Sequence, residues 1–463
     1  MDFQKIIKLI KKNKLFIFLI GILIISFFIR FIPIRTAHFW DETVYLQHAE
    51  IMFSGRINFD ELSFRPPLLS ILFYLSFFIK HSVISASVVT ALFGATISLF
   101  IFLIGRKIYN NEIGIMSALV FAFTPFLTLN SNYLLTDVPV IIFMAISFYF
   151  ILFRERKWFL FLSGMFFSLA ILMKFTAILM ALVFLFYFIF NKFKFKEILF
   201  FGFGALLVIL PYFIWCQIQF GNFLIPFIKG PGMVNDKNEG TFFYSSNLVK
   251  AFGIFVFIGI FLWIVNFFSD LKNKKYKIMK LDLVLVFWIF IFLVYLTKTP
   301  HKELRYILPI TIPIILIASK GFWFFVTKMR RYEFWFWFGF GVYLIFMISN
   351  TYAFDSLQNG VIIDRTISDE MRIADYLRDI GYEGIIYSNQ RWPVLAYYTG
   401  LEVRLLWPQD EKIYLDIPHL MKDSGIIIGM FGVKEPQPMW LDDDSRFTNY
   451  REIGDFFIYD YSP

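Results

Sequence analysis

Cysteine and charged side chains are both scarce in this sequence. Of its 463 residues only Cys216 is a cysteine, so the chain forms no internal disulfide and no zinc site built from several cysteines. Charged residues make up 17%, against about 25% in ordinary globular domains. Hydrophobic residues make up 58%, and 65 residues are phenylalanine. Soluble enzymes, disordered scaffolds and small disulfide-stapled domains are therefore excluded.

The positive net charge does not indicate a nucleic-acid partner. Lysine and arginine number 44 against 35 acidic residues, which gives a formal charge of +9. The basic residues occur in short clusters between apolar runs, a distribution that is typical of cytoplasmic loops. The charge pattern therefore predicts the topology of a membrane protein.

Eleven apolar runs approach the length of about 20 residues that a helix needs to cross a membrane. They are residues 15–34, 83–104, 113–129, 138–152, 158–173, 176–190, 198–217, 251–268, 281–297, 306–325 and 334–350. The sequence therefore predicts a mainly α, polytopic transmembrane bundle over residues 1–352.

Basic clusters fall on alternate connections, which places those connections and the N-terminus in the cytoplasm. Residues 67–79 are apolar but too short to cross, so we expect a re-entrant or interfacial helix on the outer side. The runs on either side of Lys174 are short, and joining them would break the charge alternation. We therefore expect a hairpin there, an odd number of spans and an extracytoplasmic C-terminus. We expect the plasma membrane, which the sequence alone does not distinguish from the endoplasmic reticulum.

From about residue 353 charges become frequent and long apolar runs stop. Helix-like stretches at residues 368–378 and 392–398 alternate with strand-like stretches at 384–387, 426–428 and 456–459. Residues 353–463 are therefore predicted to form a small soluble α/β domain on the outer face.

The predicted outer loops hold carboxylates and cations that topology does not explain. They are His38, Asp41, Glu42, Arg65, Asp137, Lys174, His301, Lys302, Glu303 and Arg305. Each has a structural alternative: Asp41, Glu42 and Asp137 could cap helices, Arg65 could anchor at the interface, and Glu303 could pair with Arg305. Lys174 interrupts a long apolar stretch, where an ionisable residue is functional by default. Together they carry the chemistry that a phosphate-bearing lipid and a hydroxyl acceptor require.

At these residues the chain resembles the GT-C superfamily of membrane glycosyltransferases, in the branch of protein O-mannosyltransferases and aminoarabinose transferases. The resemblance rests on Asp41-Glu42 in the first outer loop, Arg65 before two prolines, and the strings around Asp137, Lys174 and Arg305. The C-terminal domain resembles the outer domains of some members. The Trp-Trp-Asp motif of the related oligosaccharyltransferases does not occur in this sequence.

The resemblance implies sugar transfer from a polyprenyl- or dolichyl-phosphate donor to a hydroxyl of a protein, lipid or glycan, with inversion. Asp41 would be the general base, with Glu42 or Asp137 orienting the acceptor. The donor and its phosphate would be bound by Arg65, Lys174, His301, Lys302, Arg305 and Tyr306.

A divalent cation is one alternative at Asp41 and Glu42, because paired carboxylates suit Mg²⁺ or Mn²⁺, but nothing in the pattern requires a cofactor. The main rival function is a transporter or flippase of lipid-linked sugars, with buried charges along its path. An O-antigen-type polymerase is a second rival, which the early acidic pair disfavours. The sequence does not name the sugar or the acceptor.

Overall fold

The computed structural model describes residues 14–32, 38, 40–54, 65–229, 240–299, 301–359, 368–388, 391–405, 423–430 and 444–463. The chain divides into two compact units, one of residues 1–34 and 51–362 and the other of residues 35–50 and 363–463. The lysines near the N-terminus that carry the topology prediction, Lys5, Lys8, Lys11 and Lys12, lie outside the described residues.

The first unit is helical throughout its described part. Its helices begin with α1 (Lys14–Phe31), α2 (Trp40–Ser54, divided between the units), α3 (Leu68–Phe77), α4 (Val83–Ile108), α5 (Asn111–Phe123), α6 (Pro125–Asn130), α7 (Pro139–Ile151) and α8 (Lys157–Met173). They continue with α9 (Met180–Phe190), α10 (Phe195–Phe220), α11 (Ile225–Lys229), α12 (Phe243–Lys272), α13 (Tyr276–Lys298), α14 (Thr311–Lys328) and α15 (Glu333–Asn359). Short 3-10 helices precede α9, α14 and α15 at Phe175–Leu179, Leu304–Ile310 and Arg330–Tyr332.

Each predicted apolar run is largely helical in its described residues, but the run 113–129 is divided at Thr124 into α5 and α6. Within the described residues, six helical segments are long and apolar enough to cross a membrane, and six shorter apolar helices accompany them. The protein is therefore a multi-pass membrane protein, and the crossing of all eleven runs stays a prediction. Helix α3 has ten residues, about 15 Å at 1.5 Å per residue, which is too short to cross.

The predicted hairpin at Lys174 is confirmed. Helix α8 ends at Met173, and Lys174 has the extended backbone angles φ −154° and ψ 120°. The rings of Phe167 and Phe184, on either side of the break, lie 5.5 Å apart. A continuous helix would hold these residues about 26 Å apart. The chain therefore reverses direction at the lysine.

Close helix packing in this unit depends on glycine. A Cβ added to Gly164 would lie 1.9 Å from the Phe201 carbonyl oxygen, and one added to Gly321 would lie 1.9 Å from the Gly259 carbonyl oxygen. Small residues at helix contacts let backbones approach closely, which is how helices associate in lipid. These contacts hold α8 against α10 and α12 against α14.

A buried ionic network links three helices of the bundle. Lys320 Nζ of α14 lies 3.0 Å from Asp270 Oδ2 of α12 and 2.5 Å from Asp282 Oδ2 of α13. The Tyr109 hydroxyl and the Trp263 indole N–H also donate to Asp282. Because buried charges are stable only when paired and hydrogen-bonded, this network fixes how the three helices meet.

We expect Lys320→Met to lower the stability of the folded protein by about 3–5 kcal/mol, because it leaves the buried carboxylate of Asp282 without a cation, whereas Asp270 keeps Lys275 at 3.3 Å. The measurement is thermal unfolding of the purified protein in detergent. Lys328→Met, at an exposed position of the same helix, is the matched control and should change the unfolding temperature little. Equal unfolding temperatures for the two variants would contradict the role of the network.

The second unit contains the predicted small α/β fold. Its elements are α16 (Asp369–Asp379), β1 (Ile385–Ser388), α17 (Trp392–Thr399), β2 (Val403–Leu405), β3 (Gly425–Met430), β4 (Phe447–Ile453) and β5 (Phe456–Tyr461). The strand order is β2-β1-β3-β5-β4, with β1 parallel to β2 and β3, and β5 antiparallel to β3 and β4. Both helices and strands β1, β3 and β5 were predicted from the sequence, whereas β2 and β4 were not.

Alternation along the central strands gives the sheet two buried faces. On one face Ile386, Ile426 and Ile458 pack against Ile373 of α16 and Leu395 of α17. The opposite face carries a cluster of larger rings, which consists of Tyr387, Phe447, Phe457, Tyr459 and Tyr461 with Ile427. The sheet therefore has apolar cores on both sides, as a parallel core requires.

Candidate functional site

Asp137 occupies the connection that leads into α7. This helix begins with Pro139 at its first position, where a proline is preorganised and its missing N–H costs nothing. The connection itself, residues 131–138, has no regular secondary structure. Asp137 is only 4% exposed. A carboxylate buried in a helical bundle needs cationic partners.

Two cations from distant segments meet this carboxylate. The Lys174 ammonium is bonded to Asp137 Oδ1, and Arg305 Nη1 lies 3.6 Å from Asp137 Oδ2. The side chains of Lys174 and Arg305 keep 16% and 17% of their surface exposed. The two cations are therefore anchored on one anion and still accessible to a second one.

Glu303 fixes the guanidinium of Arg305 from the other side. Arg305 Nε donates to Glu303 Oε2 at 2.5 Å and Nη2 donates to Oε1 at 3.1 Å, which is a two-point contact. His301 Nε2 lies 2.9 Å from Glu303 Oε1. Burial raises the pKa of Glu303, but the hydrogen bonds and charges of Arg305 and His301 outweigh burial and hold it below its ordinary value.

A lowered folded-state pKa means that Glu303 stabilises the fold above its ordinary pKa of 4.5, and that this stability is lost as the pH falls through the lower folded value. We therefore expect the unfolding temperature of the wild type to fall between pH 5 and more acidic values more steeply than that of Glu303→Gln. Glu155→Gln, an exposed control, should follow the wild type. Parallel curves for wild type and Glu303→Gln would show that the ion pair contributes nothing.

Tyr306 lines the same cluster with an aromatic face. Lys174 Nζ lies 4.7 Å from the centre of its ring and Arg305 Cζ lies 5.6 Å from it. The ring of His301 is 5.8 Å away. The negative face of an aromatic ring attracts a cation but does not neutralise it as a carboxylate would. The ring therefore helps to hold both cations in place.

The acidic pair of the first predicted outer loop belongs to the second compact unit. Asp41 and Glu42 lie in the first turn of α2, and Glu42 is fully buried whereas Asp41 is half-buried. In that unit the rings of Trp40 and Trp392 lie 5.7 Å apart, and the His38 backbone N–H donates to the Tyr398 hydroxyl at 2.9 Å. The start of α2 is therefore held against α17.

The structure brings five of the predicted site residues into one cluster. They are Asp137, Lys174, His301, Arg305 and Tyr306. Glu303, which the sequence presents only as a salt-bridge partner of Arg305, forms that pair and joins the cluster. Its position two residues from both His301 and Arg305 was the available signal. Lys302 is buried, and Arg65 is half-buried just before α3.

No group of three or more histidine, cysteine, aspartate or glutamate side chains within the described ranges is arranged to hold a metal ion. A divalent cation at Asp41 and Glu42 would therefore need other ligands, such as backbone carbonyls, water or the substrate. Its presence stays a prediction.

Two family models match separate parts of the chain. Residues 65–215 match the family described as dolichyl-phosphate-mannose-protein mannosyltransferase. Residues 238–378 match the Alg9-like mannosyltransferase family. No curated protein sequence matches this chain. The two matches include Asp137, Lys174 and Arg305.

Solved structures share the fold over nearly the whole chain. ArnT from Cupriavidus metallidurans, bound to undecaprenyl phosphate, superimposes with a TM-score of 0.70 at 13% identity, covering 96% of this chain and 98% of that one. The Archaeoglobus fulgidus oligosaccharyltransferase AglB, in complex with an inhibitory peptide and a dolichol-phosphate, has a TM-score of 0.62 at 12% identity over 91% and 70% of the two chains. The resemblance predicted from the sequence is confirmed.

Proposed function

We propose that this chain, a membrane glycosyltransferase of the GT-C superfamily that uses a lipid-phosphate-linked donor, transfers a sugar from a polyprenyl- or dolichyl-phosphate to an acceptor hydroxyl. The acceptor is a hydroxyl of a protein, lipid or glycan on the extracytoplasmic face. The observation that carries the proposal is the pair of accessible cations, Lys174 and Arg305, held together on the buried Asp137.

A lipid phosphate fits this pair by charge and geometry. The Arg305 guanidinium is planar and the Lys174 ammonium is a compact point charge, so the two together can contact several oxygens of one phosphate. Glu303 and Asp137 hold these groups before the ligand arrives. Groups that are fixed in advance cost little reorganisation when charge develops on the leaving phosphate.

We assign Asp137 to positioning rather than to proton transfer. Both of its carboxylate oxygens already face cations, Oδ1 on Lys174 and Oδ2 on Arg305. A general base needs an oxygen within hydrogen-bond reach of the acceptor hydroxyl. Of the two remaining acidic candidates at the start of α2, Glu42 is fully buried and Asp41 is half-buried, so we keep Asp41 as the proposed base.

The reaction we propose is a single displacement. The acceptor oxygen attacks the anomeric carbon while the bond from that carbon to the phosphate oxygen breaks, which inverts the anomeric centre. Asp41 takes the proton of the acceptor hydroxyl. The lipid phosphate departs as an anion whose charge Lys174 and Arg305 stabilise, so no proton donor is needed.

The test is transfer of radiolabel by the purified protein from polyprenyl-phosphate mannose or aminoarabinose to membrane-extract acceptors or to water. We expect turnover by the wild type and none above background by the double variant Lys174→Gln/Arg305→Gln. The absence of turnover, with movement of the labelled lipid across a liposome membrane, would overturn the proposal and favour the transporter.

A further inference from the structure

Arg30 is an ionisable residue buried inside the first apolar helix. It lies one residue before the end of α1, and its side chain is only 2% exposed. Among the described residues no carboxylate pairs with it, and its hydrogen bonds go to uncharged oxygens. They are Ser26 O at 3.1 Å, Ser26 Oγ at 2.6 Å, Ser131 Oγ at 3.2 Å, Ala122 O at 3.0 Å and Phe121 O at 3.3 Å.

Two of these oxygens are carbonyls left over where one helix breaks. Phe121 and Ala122 belong to the last turn of α5, and Thr124 leaves the helix with ψ 121° before Pro125 opens α6. Pro125 has no N–H, so it cannot bond to the carbonyl four residues before it, that of Phe121. In a bilayer a leftover carbonyl is costly because no water replaces the missing donor. Arg30 donates to both carbonyls, and the Thr128 hydroxyl also donates to that of Ala122 at 3.4 Å.

Another partner of Arg30, Ser131, lies at the start of the connection that leads to Asp137. Ser131 follows α6 directly and accepts a hydrogen bond from Arg30 Nε, while its own hydroxyl donates to the Leu127 carbonyl. The connection that begins at Ser131 carries Asp137 six residues later. Arg30 therefore bonds both to the helix break and to the start of this connection.

A neighbouring helix leaves space for this arrangement. Gly94 of α4 faces the pair, and a Cβ there would lie 2.7 Å from Ser131 Oγ and 2.8 Å from Arg30 Cδ. Contacts this short force the neighbouring atoms to move. The absence of a side chain at Gly94 therefore leaves room for the hydrogen bond between Arg30 and Ser131.

We propose that Arg30 is a positioning residue for the donor-phosphate site, because it holds the α5–α6 break and the connection from which Asp137 meets Lys174 and Arg305. The proposal rests on the function proposed above. Arg30 itself does not touch the cluster. A lysine at this position keeps the charge but lacks the fork of donors that reaches three segments at once.

The first test measures how often the connection 131–138 opens to water, and it needs no lipid donor. The native Cys216 is first replaced by serine, and a single reporter cysteine is introduced as Leu135→Cys. Leu135 lies in the connection 131–138, and its side chain is 4% exposed. We expect Arg30→Lys to raise the rate at which the reporter cysteine reacts with a water-soluble thiol reagent at least about 10-fold, because the connection opens more often. A thiol from Ser163→Cys, fully buried between α7 and α8, should react at an unchanged rate.

A second variant keeps the proposal testable if Arg30→Lys does not fold. Gly94→Ala strains the same contact from another helix, so we expect it also to speed labelling of the Leu135→Cys thiol. Gly21→Ala in α1 is the matched control, because a Cβ there meets nothing within 4 Å. Unchanged labelling in both Arg30→Lys and Gly94→Ala would overturn the proposal.

The link to the donor site is read from kinetics. We expect Arg30→Lys to raise the KM for the lipid-phosphate donor about 10-fold with a smaller change in kcat, because the phosphate cations are displaced before the donor binds. A lower kcat with unchanged KM would overturn the positioning role. If Arg30→Lys speeds labelling of the Leu135→Cys thiol but the wild type transfers no sugar, the structural role of Arg30 stands and the proposed function is rejected.

Discussion

Arg305→Gln is expected to lower kcat/KM for a polyprenyl-phosphate sugar by about 10²–10³-fold, the loss typical of removing one preorganised charge-stabilising donor. Arg305 contacts both Asp137 and Glu303, so glutamine removes a cation that two carboxylates hold in place. The measurement is steady-state transfer of radiolabel from the lipid donor by the purified variant.

Two further variants separate charge from geometry at this position. Arg305→Lys keeps the charge but loses the two-point contact with Glu303, so we expect an intermediate loss. Arg330→Gln removes an exposed arginine and should leave kcat/KM unchanged. The losses from Arg305→Gln and Lys174→Gln should not add when combined, because both cations share Asp137. Wild-type kinetics in Arg305→Gln would place the phosphate elsewhere.

Asp41→Asn is expected to lower kcat by about 10²–10⁴-fold while the KM for the donor changes little, as for the loss of a general base. Asparagine has nearly the same shape but accepts no proton at neutral pH. The pre-steady-state and steady-state transfer rates of the variant, measured with saturating donor, test this expectation.

The control for Asp41 lies on the same helix. Glu50→Gln removes a carboxylate that is exposed in α2, and we expect near-normal turnover. Should Asp41→Asn retain most of the wild-type kcat, the base would have to be another group, and the assignment of Asp137 to positioning would have to be reconsidered.

Much of the fold was accessible from the sequence because lipid imposes simple rules. Apolar runs predicted the helices, and the hairpin at Lys174 followed from the charge alternation that joining the two runs would break. Charges that remained in the connections pointed to Asp137, Lys174 and Arg305, which the structure joins. Hydropathy works well here because every backbone group in a bilayer must be bonded internally.

Contacts between distant helices were not accessible in the same way. Lys320 pairs with residues 38 and 50 positions away, and nothing local predicts such partners. Arg30 gives a signal as an ionisable residue in an apolar run, and Pro125 marks a helix break, but only the fold shows that the two lie side by side. A carbonyl without an N–H partner leaves no mark in a hydropathy pattern.

Strands β2 and β4 were not predicted from the sequence, and the reasons are local. Strand β2 has only three residues, Val403–Leu405, which is too few for an alternation to be recognised. Strand β4, Phe447–Ile453, is largely exposed, and its pairing with β5 shifts register between Thr448 and Arg451. An edge strand with polar side chains and an irregular pairing resembles a loop in sequence.

We propose that Lys174 and Arg305 bind the phosphate of the lipid donor, and equilibrium binding tests this without any turnover. The most direct measurement is equilibrium binding of a polyprenyl phosphate and of the matching polyprenol to the protein in lipid nanodiscs, for the wild type and for Lys174→Gln/Arg305→Gln. We expect the Kd of the wild type to be at least about 100-fold lower for the phosphate than for the alcohol. The double variant should bind both lipids equally. A wild type that binds the two lipids equally would show that this pair of cations does not bind the phosphate.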